Sequence, residues 1–425
     1  MSPSKVGFRP LLIWIFGASF YFYQFFFRVS PSVMTDDLME TFGIQSYALG
    51  ILSSFYYFAY AAMQIPIGMM LDLYGPRRLL TLSCCLCTLG GLVFASSMGI
   101  GTASLGRLLM GAGSACAFIG TLKLATLWFP LRHIGLAAGF TMFLGFLGAT
   151  SAGAPLAILI DHVGWRSALY IVAIIGVFLS LGIWVFVRDR ENHHVDELKN
   201  IQDQTILSRA IINLRTVVVN QQVWLLAFYG SLMYVPLSAF ADLWGIPYIT
   251  RLYEIDKELA ASQTSMIFMG AALGGPVMTW LSDYLKKRKT PMMIGAAAIT
   301  LLYSIVIYFP NIPFPLMYVL LFFAGFLFTG QVLCFASVCE IIPLSASGVA
   351  VGFTNMVVMI SGVIFEPLIG WILQKLWNGQ MYNGAPIYSV ENFKIALITV
   401  PLSTLVAVIL LRFIQETHPQ SLRAK

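Results

Sequence analysis

Long apolar runs separated by short polar breaks fill nearly the whole chain. They lie at about residues 12–34, 46–71, 79–98, 101–128, 134–159, 165–187, 222–248, 258–283, 291–310, 314–340, 347–374 and 393–414. Each supplies the roughly 20 residues that a helix needs to cross a hydrocarbon core. Inside a bilayer, only segments that satisfy their own backbone hydrogen bonds can stand, so runs of this length predict helices. The pattern predicts an all-α polytopic membrane protein with twelve transmembrane helices. The longest polar stretch, 188–221, mixes both charge signs and divides the series six and six. It predicts an N-terminal six-helix bundle over 1–187, a cytoplasmic linker over 188–221 and a C-terminal six-helix bundle over 222–425.

Composition agrees with the pattern. The chain is 58% hydrophobic and 10% charged, and its mean hydropathy of +0.81 lies far from that of a water-soluble domain. The net charge of +6 raises a nucleic-acid partner, but the bases form no patch and follow the loops instead. With both termini placed in the cytoplasm, 17 of the 25 Lys and Arg residues fall on the inner side and five on the outer; Arg28, Arg107 and Lys123 remain within helices. That asymmetry is the positive-inside pattern and sets the expected orientation. The first run is too long for the apolar region of a cleavable leader, so it is expected to remain in the mature protein. The six cysteines sit in the apolar runs with no metal-type spacing, and no metal or cofactor is expected. The absence of any Asn-X-Ser/Thr sequon and the short outer loops favour a bacterial inner membrane.

The two halves repeat one another. Gly135-Leu-Ala-Ala-Gly139-Phe140-Thr141 in the fifth run returns as Gly348-Val-Ala-Val-Gly352-Phe353-Thr354 in the eleventh, 213 residues on. Pro155-Leu156 returns as Pro367-Leu368 at an offset of 212, and Asp72 as Asp283 at 211. A duplicated six-helix unit can rock about a site between its copies near the midplane. The spacings Gly111 with Ala115, Gly135 with Gly139 and Gly348 with Gly352 are of the kind that lets helices approach closely.

Between the second and third runs the sequence reads Gly68-Met-Met-Leu-Asp72-Leu-Tyr-Gly75-Pro-Arg77-Arg78, and the fourth run carries Arg107-Leu-Leu-Met-Gly111-Ala-Gly113. These stretches resemble the loop signature and the Arg-x-x-x-Gly-x-Gly motif of the major facilitator superfamily. Leu73 stands where that loop usually has a base, and the second copy, Thr279 to Lys289, keeps Asp283 and the bases but loses both glycines. Phe27-Arg28-Val-Ser-Pro31 and Leu122-Lys123-Leu-Ala-Thr-Leu-Trp128-Phe129-Pro130 resemble a proteobacterial subgroup that includes phagosomal transporters of amino acids or nucleosides. Arg28 also resembles the first-helix Arg of the organic anion:cation symporters. The resemblance implies a two-bundle transporter whose cavity is lined by helices one, four, seven and ten. It also implies that Asp72, Arg77 and Arg78, with Asp283 in the second copy, form a gate near the start of helix eleven.

A charge inside the bilayer costs about 2.5–3.5 kcal/mol on insertion scales, so each should face a cavity and have a partner. Arg28, three residues before Pro31, is suited to holding a carboxylate through parallel hydrogen bonds. Asp242 lies in Phe240-Ala-Asp-Leu-Trp244-Gly-Ile-Pro247, and three roles stay open for it: proton site, ligand for a substrate amine, or ion partner of Arg28. Glu366, before Pro367 on a helix expected at the periphery, is a candidate for proton coupling, as is Arg107. Lys123 is a candidate gate residue. Tyr21, Gln24, Trp244, Gln331 and Asn355 complete the substrate-binding set, Asn355 because its repeat mate is the apolar Met142.

With no phosphate loop and no Ser/His/Asp constellation in the spans, neither a primary pump nor an enzyme is expected. The expectation is a monomeric secondary transporter of a small carboxylate-bearing solute, an amino acid or short peptide first, coupled to protons. A nucleoside or organic-anion transporter of the same fold and a non-transporting membrane receptor are the alternatives.

Overall fold

The computed structural model describes residues 8–189, 212–382 and 384–417. Among the described residues are twelve helices long and apolar enough to cross a membrane: α1 Phe8–Val33, α2 Ser46–Tyr74, α3 Pro76–Ala95, α4 Ile100–Trp128, α5 His133–Val163, α6 Trp165–Phe186, α7 Gln221–Tyr253, α8 Lys257–Leu285, α9 Lys289–Tyr308, α10 Phe314–Ile341, α11 Ser347–Leu376 and α12 Val390–Leu410. The chain is therefore a multi-pass membrane protein with the helix count expected from its hydropathy. Of the polar stretch between the halves, residues 190–211 lie outside the described part. Residues 212–219 are helical. The Asn220 side chain then accepts from the backbone N–H groups of Gln222 and Val223, capping α7.

Several helices are locally rewound. Pro31 turns the end of α1 into a 3-10 turn over Ser30–Val33. Between Pro236 and Trp244, α7 widens into a π-helix, and α10 tightens into a 3-10 turn over Thr329–Val332. α4 pauses between Ser114 and Ala117. Proline cannot donate to the carbonyl four residues back, and such interruptions re-aim the side chains beside them.

Besides the contact between α1 and α7, the halves meet through two helix pairs, α2 with α11 and α5 with α8. The duplication makes these the same contact twice. A Cβ added to Gly50 on α2 would meet the Glu366 carbonyl of α11, and one added to Gly153 on α5 would meet Ser265 and the Ala261 carbonyl of α8. Gly50 and Ala261 differ by 211 positions, Gly153 and Glu366 by 213, the offsets of the repeat.

Closure is uneven along the interface. A Cβ at Gly370 would collide with the Ser46 carbonyl and one at Gly362 with the Tyr57 ring. Among the described residues, the nearest group to a Cβ at Gly352 is the Gln64 carbonyl, 3.9 Å away, and at Gly348 nothing lies within 4 Å. Gly348 is at the end of α11 that shares a face with the α2–α3 loop and its arginines; we call this the basic face. The interface thus loosens from the far face toward the basic face. Two of the expected close-approach spacings are corrected by this. Gly111 does abut the backbone of Tyr56, but Gly135, Gly139 and Gly348 have open space about them, and Gly352 only a loose neighbour.

The far face is covered by two small elements. A short helix, Thr35–Phe42, follows α1, and a hairpin of β1 Met381–Tyr382 and β2 Ala385–Pro386 follows α11. The hairpin's second strand packs on the short helix, one half lapping the other.

Candidate functional site

Pro31 leaves the Phe27 carbonyl without its helical donor. Two groups replace it: Ser30 Oγ at 3.0 Å and Arg107 Nη1 at 2.9 Å. Arg107, 1% exposed on α4, also donates through Nη2 to the carbonyls of Arg28 at 3.4 Å and Ser53 at 3.2 Å. Its guanidinium stacks 5.0 Å from the Tyr56 ring, and Tyr56 donates to Gln24 Oε1 at 2.6 Å. Arg107 therefore ties the broken end of α1 to α2 and fixes the backbone from which Arg28 projects.

From that anchored turn the Arg28 side chain reaches across to the other half. Arg28 Nε donates to Asp242 Oδ2 at 2.8 Å. Nη2 lies 2.7 Å from the same oxygen, in ion-pair contact but not aligned for a hydrogen bond. Tyr57 completes a triangle, accepting from Arg28 Nε at 3.0 Å and donating to Asp242 Oδ2 in a short hydrogen bond. Phe25, Tyr57 and Tyr234 present their rings 4.8–5.2 Å from the guanidinium carbon, favourable for a cation in a dry setting. The side chains are only 4% and 1% exposed. Their separation of 214 residues is within three of the repeat offset, so the pair joins near-equivalent points of the two copies. Burial makes such a pair costly to build and costlier to break from one side. Among the described residues Asp242 Oδ1 has no hydrogen-bond partner, so the site keeps an unused acceptor beside a cation that can form a bidentate fork.

The other expected residues divide around this pair. Glu366 is fully buried, and among the described residues neither carboxyl oxygen has a hydrogen-bond partner of good geometry, Ser53 being its polar neighbour. Arg107 is the cation that bears most on it, with Asp242 and Arg28 also within electrostatic reach. The peripheral placement expected for this residue is thus corrected, because α11 packs along α2 and turns Glu366 inward. Trp244 donates to the Glu366 carbonyl at 3.1 Å. Gln24 is buried within the Tyr56 contact. Toward the basic face, Asn355 donates to Gln64 Oε1 at 2.9 Å, an amide pair bridging α11 and α2. Its repeat mate Met142 accepts from Tyr21 at 3.4 Å. Gln331 is 3% exposed with Nε2 unpartnered, close to Gly230 on α7.

The expected gate residues stand elsewhere. The Asp72 side chain lies outside the described part. Arg77 donates to the Trp184 carbonyl at 3.1 and 2.8 Å and stacks on its ring, while its backbone N–H meets Asp189; all these contacts stay within its own half. Arg78 is exposed and Lys123 half-buried. Asp283 pairs with Arg288 at 2.9 Å, and Arg288 in turn with Glu340 at 2.9 Å, again within one half. Sequence reasoning missed Tyr57, Tyr234, Ser53 and Gln64. Only Gln64 carried a signal, as a polar residue deep in an apolar run.

Two six-helix halves related by an internal repeat, meeting over a buried charge pair, define a two-bundle membrane protein. The chain matches the Major Facilitator Superfamily over residues 14–366 and 243–425, and it belongs to that family. It is 25% identical over 407 residues to a probable galactarate/D-glucarate transporter, GudP, of Escherichia coli strain K12, covering 88% of each chain. It is 24% identical over 394 residues to the membrane sensor protein UhpC of the same strain, covering 88% of this chain and 86% of that one. With three further relatives the aligned region spans only 58–66% of their length. A bacterial homolog of the human lysosomal transporter Spinster, in an inward-facing and occupied conformation, superposes with a TM-score of 0.73. It shares 15% identity over 97% of each chain, a likeness of fold.

Proposed function

We propose that the protein is a secondary transporter that carries a small carboxylate-bearing organic anion across the membrane by alternating access, with Arg28 as the anchor for the carboxylate. The observation that carries this reading is the Arg28–Asp242 pair, buried at the junction of two halves whose interface loosens toward the basic face. A substrate carboxylate arriving from that side replaces Asp242 on the guanidinium fork, and the freed Asp242 holds a proton until the pair re-forms. Exchange of one partner for another avoids leaving the buried Arg28 charge unpaired at any stage, which would be the costly state. Arg107 and Glu366 form the adjoining charge system through which coupling extends to α11. Tyr57, Tyr234 and the Gln64–Asn355 amides supply hydrogen bonds to the rest of the solute.

The asymmetry of the bases supports a reading in which the basic face and both termini lie in the cytoplasm. Among carboxylates, the kinship with GudP favours sugar acids over the amino acids that the subgroup resemblance suggests. A second reading, a membrane sensor that binds without transporting, is favoured by the kinship with UhpC.

The test is thermal stabilisation of the detergent-purified protein by a panel of sugar acids, dicarboxylates, amino acids and nucleosides. A ligand at 100 times its Kd adds about 2.7 kcal/mol to the folded state. Stabilisation by a carboxylate that disappears in Arg28→Ala supports the reading, and flux of that solute into proteoliposomes separates carrier from sensor. A response confined to uncharged solutes refutes the role given to Arg28.

A further inference from the structure

At the far face, a small cavity of about 20 Å³ lies between the halves, with Trp244 among its lining residues. That is room for about one water molecule. Its charges are sorted by half. Asp36, from the short helix after α1, lies on one side; Arg251 at the end of α7 and Lys257 at the start of α8 lie on the other. Next to it, Lys257 Nζ pairs with Asp37 at 3.0 Å, crossing from one half to the other. Arg251 has no ion-pair partner among the described residues, and the Thr250 hydroxyl, also on the wall, is buried without a hydrogen-bond partner.

From this geometry we infer that Arg251, Lys257 and Thr250 form an outer reception site for a small organic anion, and that Asp37 is the internal anion which occupies Lys257 when the far face is shut. When the halves part at this face, both acids leave with one half and both bases stay with the other. The wall that remains carries two cations and a spare hydroxyl, directly above Trp244, two residues from Asp242. An anion there takes the place of Asp37, so binding and opening favour each other. The Lys257–Asp37 pair suits this exchange: its side chains are 33% and 31% exposed, and partly solvated pairs are weak. The inference deepens the proposed function and rests on it for the class of ligand.

The experiment uses the full-length protein in lipid nanodiscs with a Met39→Cys reporter. Met39 lines the cavity at 3% exposure, and labelling of the native cysteines is subtracted. Asp37→Asn and Lys257→Ala should each raise the maleimide labelling rate about two- to five-fold, the shift expected for loss of a partly exposed pair. The second measurement is D-glucarate uptake in proteoliposomes from the far face, with succinate and D-glucose for comparison. Asp37→Asn should lower KM, whereas Lys257→Ala and Arg251→Ala should raise it several-fold, with kcat changing less. A contact that merely holds the halves together would move KM in one direction for both members of the pair, and that result overturns the reception site. Unchanged labelling in both variants overturns the latch. If labelling rises but no carboxylate is bound or carried, the functional reading fails and takes the anion assignment with it.

Discussion

Asp242→Asn removes one charge from the buried pair while keeping its shape, and it tests the central contact. Asp242 is fully buried and Arg28 is 4% exposed, so the variant leaves a guanidinium in a dry site with an amide, the Tyr57 hydroxyl and three ring faces around it. Breaking a buried ion pair from one side costs about 3–5 kcal/mol. The ring faces hold the guanidinium in wild type and variant alike, so their contribution cancels in the comparison. A net loss in that range is expected. Replacing Arg28 as well, by Met, removes the stranded charge and should recover most of that loss. Apparent melting temperatures of wild type, Asp242→Asn, Arg28→Met and the double variant form the cycle, compared at one scan rate because unfolding of such proteins is irreversible. Destabilisation of the double variant equal to the sum of the two single variants would mean that the side chains are not coupled, and the reasoning would fail.

Two other predictions follow from the packing. Gly50→Val and Gly370→Val place carbon against backbone of the opposite half, so both should block closure of the far face and abolish flux, whereas Gly348→Ala, in open space, should retain it in the same proteoliposome assay. Arg107→Leu strips donors from the carbonyls of Phe27, which keeps Ser30 Oγ, and of Arg28 and Ser53, at about 1–3 kcal/mol for a carbonyl left without a donor, and should lower the melting temperature more than Arg107→Lys does.

The number of helices and their boundaries to within a few residues were legible in the sequence. The reason is that the bilayer acts on each segment separately: a run of apolar residues crosses it whatever its neighbours are. The same rule made Arg28, Asp242 and Glu366 stand out, because a charge inside such a run needs an explanation. The partners of those charges were a different matter. Asp242 carried three open roles, and only the rotation of α7 through its π-helical turn and the approach of α2 and α11 set it against Arg28 and Tyr57. Tyr57 could not be singled out where aromatic residues are 14% of the chain, since its function comes from the helix face it occupies rather than from its type. Glu366 was placed on a peripheral helix by number, yet α11 turns it inward because glycines at 362 and 370 let α2 approach closely. Periodicity and hydropathy are properties of single segments and survive in the sequence. Which faces meet depends on packing between segments 200 or more residues apart, as with the 214 between Arg28 and Asp242, and that is settled only in the folded protein.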